Sequence, residues 1–106
     1  DLLLATADND VNIPNTFTLY QNYPNPFNPT TTLRYDVPED GLVQIVVFDL
    51  MGREVTELVN RQVPAGRYKA IWDGRNAEGA EVPAGMYFAR MTAGEYSKVI
   101  KMVLMK

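Results

Sequence analysis

An antiparallel β-sandwich of about seven strands is the architecture this sequence predicts, and three observations point to it. Short β-prone runs recur at regular spacing from Phe17 onward. Turns rich in Pro, Gly, Asn and Asp separate them. No stretch carries the 3.6-residue periodicity of an amphipathic helix. Short strands without helices bury their apolar faces by packing one antiparallel sheet on another. The 106 residues, 46% apolar and 22% charged, suffice for one folded domain.

Residues 1–16 read as a polar linker from an upstream domain and residues 17–106 as the sandwich. The linker holds Leu2-Leu3-Leu4, which is far too short to span a membrane and lacks the basic flank of a signal peptide. The chain starts without methionine, so an export signal is expected upstream or in a form other than an N-terminal peptide. Asp8-Asn9-Asp10 resembles a loose calcium loop but lacks the glycine and terminal glutamate of a proper one.

Phe17–Gln21 is a short β-prone run, and Tyr23-Pro24-Asn25-Pro26-Phe27-Asn28-Pro29 stops it. Three prolines remove three donors and fix φ, so no central strand or helix passes here. Tyr23 and Phe27, on this stiff lead-in, are expected to plug one end of the core. Pro26 and Pro29 also have the spacing of ligands for proline-binding domains, but the rings suit docking on the chain's own core better. Thr31–Val37 alternates, with Leu33, Tyr35 and Val37 on one face and Arg34 and Asp36 on the other. Pro38–Gly41 is a turn. Leu42–Leu50, broken only by Gln44, reads as a central strand covered on both faces. Met51-Gly52 turns the chain into Arg53–Val59, whose irregular pattern suits a strand with a bulge or at an edge.

Val63-Pro64-Ala65-Gly66-Arg67-Tyr68 then recurs as Val82-Pro83-Ala84-Gly85-Met86-Tyr87. The echo reads as one turn solution used twice, each time feeding an aromatic strand. Tyr68, Ala70 and Trp72 share one face; Tyr87, Ala89 and Met91 share another, and Phe88 behind them suggests cover on both sides. Between the copies, Asp73–Gly79 suits Asx-turns better than a calcium site, because Arg75 stands where a ligand would be wanted. Thr92–Glu95 predicts a hairpin into Tyr96–Lys106, with Ile100, Met102 and Leu104 inward. Lys98, Lys101 and Lys106 read first as protection of an edge strand.

Missing residue types narrow the chemistry. The chain has no histidine and no cysteine, which removes imidazole acid–base chemistry, the usual zinc ligands, thiolates and disulfides. Its carboxylates show no spacing that sets two across a cleft, so no enzyme activity and no cofactor are expected. A net charge of −3 leaves no basic field for nucleic acid.

The Tyr23–Pro29 segment with Thr30-Thr31 resembles the opening of the C-terminal sorting domains of the bacterial type IX secretion system. Val47–Val55, with Gly52 at its turn, is similar to that family's strand–turn–strand centre. Gly66 and Tyr68 with Trp72, Gly85 and Tyr87, and the closing Lys98…Lys101-Met102-Val103-Leu104 complete the order. Trp72–Gly79 and Pro83–Tyr87 are also similar to the immunoglobulin-like domain of flagellar hook-capping proteins. The resemblance implies an immunoglobulin-like or fibronectin type III-like sandwich that acts as a delivery label for an upstream cargo. It further implies an outer-membrane translocon as partner, a surface sortase as a second one, and a route through the periplasm to the cell surface or medium. Gly94, Lys98, Lys101 and Lys106 would be the recognised residues. The competing expectations are a structural spacer or carbohydrate-associated module of an extracellular enzyme, and a hook-capping-type assembly domain.

Overall fold

In the computed structural model, which describes residues 13–106, seven strands form two antiparallel sheets. They are β1 (Thr18–Leu19), β2 (Thr31–Val37), β3 (Gly41–Asp49), β4 (Glu54–Val63), β5 (Gly66–Trp72), β6 (Gly85–Ala93) and β7 (Tyr96–Leu104). The smaller sheet has the order β1-β2-β5 and the larger β4-β3-β6-β7. The expected readings of Leu2–Leu4 and Asp8–Asp10 lie outside the described residues.

Alternation builds the core. Leu33, Tyr35 and Val37 of β2 face Val43, Ile45 and Val47 of β3, Ala89 and Met91 of β6 and Met102 of β7, and all of them are at most 1% exposed. Burying each such aliphatic side chain contributes about 1.5–3 kcal/mol. β4 is an edge strand with two register irregularities against β3, so the bulge and the edge are both present. It runs to Val63, beyond the predicted end at Val59, because Val63 still pairs with Gly41 and is buried.

Two expectations are corrected. Tyr23 is 81% exposed, whereas Phe27 is 2% exposed: only Phe27 is a plug. The segment turns Phe27 into the core, while Tyr23 pairs through its backbone with Thr32 and leaves its ring in solvent. Secondly, β3 and β6 are central but are not covered on both faces. Leu42 is 47% exposed, and Phe48 and Phe88, a directly opposed pair, are only half-buried. Asp36 points away from the core, as expected, and is buried there because the Tyr20 hydroxyl donates to its Oδ2 and Arg67 lies 3.9 Å from its Oδ1.

Candidate recognition surface

The Tyr23–Pro29 segment and the last strand form one structural unit. Three X-Pro bonds, at Pro24, Pro26 and Pro29, are cis. The buried Asn22 Nδ2 donates to the Thr31 hydroxyl (2.9 Å), which in turn donates to the Pro24 carbonyl (2.8 Å). That polar knot holds the loop where proline rings leave few backbone donors. Sequence reasoning missed Asn22; its signal was a pair of polar residues, Asn22 and Thr31, bracketing a proline-locked loop.

Fixed in this way, the segment lies along the outer edge of β7. Phe27 forms a parallel bridge with Leu104, its N–H donating to Val103 O (2.9 Å) and its carbonyl accepting from Met105 N (2.8 Å). Asn25 Oδ1 accepts from Val103 N (2.9 Å), and Gln21 Nε2 donates to Lys101 O (2.7 Å). Further up, the Tyr96 hydroxyl accepts from Leu19 N (3.0 Å), and the Phe17 and Tyr96 rings stack at 5.5 Å. The expected open edge is therefore closed from Lys101 to Met105 by the chain's own backbone and amide side chains. Ladder alternation points the backbone groups of Ser97 and Val99 to the same side as those of Val103. No hydrogen bond from residues 13–29 reaches them.

The four residues expected to be recognised are not gathered. Gly94 sits at the tip of the two-residue β6–β7 hairpin with φ +58°, a conformation that favours glycine. Lys106 is at the far pole, roughly 35–40 Å away at ~3.3 Å per residue. Its Nζ lies 3.3 Å from Glu81 Oε1. Lys98 and Lys101 are both exposed but are three residues apart on a strand, so they take opposite faces and do not form the expected row. Lys101 is directly opposite Phe88 on the outer face, and Lys98 opposite Met91.

Most other motif residues converge at the Lys106 pole. Phe27, Trp72 and Tyr87 form a continuous run of rings, with centroids 5.5 and 5.2 Å apart. The Trp72 indole N–H donates to Arg75 O (2.9 Å), which supplies the partner a buried indole needs. Gly74, at φ +75°, passes so close to the loop that a Cβ would stand 3.2 Å from Pro29 O. Asn76 Oδ1 accepts from Glu78 N and Ala80 N, so Asp73–Gly79 is the expected Asx-turn. The echo is one device used twice: Tyr68 Oη donates to Pro64 O, and Tyr87 Oη to Pro83 O, each four residues back. At the Gly52 turn, Asp49 Oδ1 accepts from Met51 N and Arg53 N, and Oδ2 from Arg53 Nε. The backbone bond from Arg53 is the main reason that the Asp49 carboxyl lies below its ordinary range.

Cavities are open surface depressions. A 620 Å³ cleft at the Gly94 pole is lined by Phe17, Glu39, Asp40, Leu42, Thr92 and Glu95, among others. A second, of 440 Å³, lies over the smaller sheet beside Tyr20, Asp36 and Arg67. No cluster of three metal-ligating side chains exists among the described residues. No helix among them is long and apolar enough to cross a membrane.

Comparison with known proteins adds the following. Residues 28–97 match the family of the FlgD Ig-like domain. No curated protein matches the chain. Among solved structures, dimeric latent PorU from Porphyromonas gingivalis is similar over 86% of the chain, with a TM-score of 0.67 and 19% identity. PorZ from the same organism is described as an essential surface component of its type IX secretion system; it is similar over 83%, at 0.57 and 22%. FlgD from P. aeruginosa is similar over 82%, at 0.55 and 20%. The chain spans 9% of the PorU chain, 11% of the PorZ chain and 68% of the FlgD chain. At these identities the three likenesses concern the fold.

Proposed function

We propose, from the premise that this chain belongs to the FlgD Ig-like domain family, that it is a non-catalytic C-terminal sorting module of a type IX secretion system. It directs an upstream cargo through the outer membrane translocon to the cell surface. The observation that carries this reading is the joining of the Tyr23–Pro29 segment to β7. Two residues of the segment by which the sequence resembles sorting domains, Asn25 and Phe27, bond the edge of the last strand. Fold likeness to PorZ, itself a surface component of that system, supports an exported location.

The closed edge narrows where a translocon would bind. Along β7, backbone groups without a partner among the described residues lie beside Ser97 and Val99, so recognition centres on Gly94–Val99, with Lys98 supplying charge. Lys101 contributes charge from the outer face, and Lys106 only after release from Glu81.

The test fuses residues 13–106 to an inert reporter with its own inner-membrane export signal, in a bacterium that has the translocon. Pro14 is buried, so the fusion starts before it. Reporter at the surface or in the medium is expected; reporter held in the periplasm while the domain is folded would defeat the reading. Lys98→Ala should lower export more than Lys106→Ala, with folding unchanged, because exposed lysines cost at most about 0.5 kcal/mol each.

A second reading, a structural hook-capping-type assembly domain, is favoured by the family match itself and by the 68% of the FlgD chain that is covered. Under that reading the fusion stays in the periplasm whatever stands at position 98.

A further inference from the structure

The outer face of the larger sheet is more apolar than a solvated face should be, and its register arranges it in rows. Glu54, Phe48, Phe88 and Lys101 lie side by side across β4, β3, β6 and β7. The next row is Glu57, Val46, Arg90 and Val99, and the one after it Asn60, Gln44, Thr92 and Ser97. On the other side of the first row, Met86 pairs with Val103. The centre is therefore Val46, Phe48, Phe88 and Met86, continued on β7 by Val99, which is 51% exposed. Arg90 spans it with its guanidinium 4.7 Å from the Phe48 ring centroid.

Charge is segregated across this face. Acids occupy the β4 side and bases the β6–β7 side. None of Glu54, Glu57, Arg90 and Lys101 has an ion-pair partner among the described residues. An apolar band between an acidic and a basic rail is complementary to itself after one particular rotation. A two-fold axis parallel to the strands lays β4 of one copy over β7 of the other, setting Glu54 over Lys101 and Phe48 over Phe88. An axis across the strands would instead set acid over acid.

We propose that this face is an isologous interface with a second copy of the chain, its two-fold axis running along the strands. Face-to-face sheets keep their strand directions within about 30°, which this axis permits. Four strands ~4.8 Å apart and about nine residues long present roughly 500 Å² per copy. The total of about 1,000 Å² is at the lower limit for a specific interface, so the dimer is a weak, reversible one. The surface uses the outward side chain of Val99, whereas the sorting reading uses the backbone edge beside Ser97 and Val99, and the proposal stands independently of that reading.

The test is sedimentation velocity of the 106-residue chain over a wide concentration range, with urea unfolding of every variant as a check on folding. The parent is expected to associate reversibly, and less so at high salt. Glu54→Lys alone sets base against base, and Lys101→Glu alone sets acid against acid; each should weaken association by about tenfold or more. An equimolar mixture of the two variants restores both cross-contacts, so the mixed dimer should recover to near the parent affinity. Val99→Glu, at an exposed position that the axis lays over Glu57 of the second copy, sets acid against acid and should weaken association by about tenfold or more without loss of stability. A parent that stays monomeric at all concentrations overturns the proposal. So does a dimer indifferent to these substitutions, which would use another surface, or a mixture that fails to recover.

Discussion

Trp72 shows how much one side chain organises here. Its ring touches Phe27 on one side and Tyr87 on the other, and its indole N–H satisfies the Arg75 carbonyl. Trp72→Phe removes the donor and leaves a gap, and should cost about 2–4 kcal/mol in urea unfolding. Thr31→Val keeps the volume but removes the acceptor of one buried Asn22 Nδ2 hydrogen, leaving that amide group its longer bond to Pro24 O, and about 1–3 kcal/mol should be lost in the same assay. Asp49 acts through its ionised form. Its carboxyl is lowered from 3.8, so its share of stability is present above that value and is lost as pH falls through the lowered folded-state value. Asp49→Asn should therefore flatten the acid limb of stability against pH; an unchanged limb would show that the turn does not depend on the charge.

At the scale of elements, the lead-in works as an extra, irregular edge for β7. Phe27→Ala should cost about 3–5 kcal/mol, whereas Tyr23→Ala should stay within about 0.5 kcal/mol, although both positions carry rings on the same ribbon. Denaturant midpoints for the pair distinguish plug from ornament. The β6–β7 hairpin depends on Gly94 at φ +58°, and Gly94→Val should cost about 1–2 kcal/mol. If that variant remains folded and loses export, the hairpin end is where the translocon reads the module.

Over the whole molecule, the two sheets differ in what they leave exposed. Strand order puts β3 and β6 in the middle of the larger sheet, so their amides should exchange most slowly, and those of β1, which has two residues, fastest. The same sheet turns a half-apolar face outward, whereas the smaller sheet turns out Arg34, Lys69, Arg67 and the shielded Asp36. Most motif residues, Gly66 and Tyr68 excepted, gather at the Lys106 pole, and the unpaired stretch of β7 lies toward the Gly94 pole. The joined and the backbone-open stretches of β7 are thus separated along its length.

Much of this was legible in local pattern. Alternation in Thr31–Val37 and Tyr87–Met91, positive-φ glycines at turns, and the paired Val-Pro-Ala-Gly turns depend on neighbours in sequence, and strand physics with a period of two makes them readable. Which ring on the proline ribbon would be buried was not legible. Tyr23 and Phe27 are chemically alike, and their fates diverge only because Phe27 meets Leu104 and Trp72 from distant parts of the chain. An apolar run such as Leu42–Leu50 announces burial without saying on how many sides. The sequence by itself determined the sandwich and its turns, because local geometry dictates them. Only the tertiary structure decided that β7 has its edge closed from Lys101 on, that Lys98 and Lys101 face apart, and that one sheet keeps an apolar face open, because those follow from strand order and register between residues far apart in the chain.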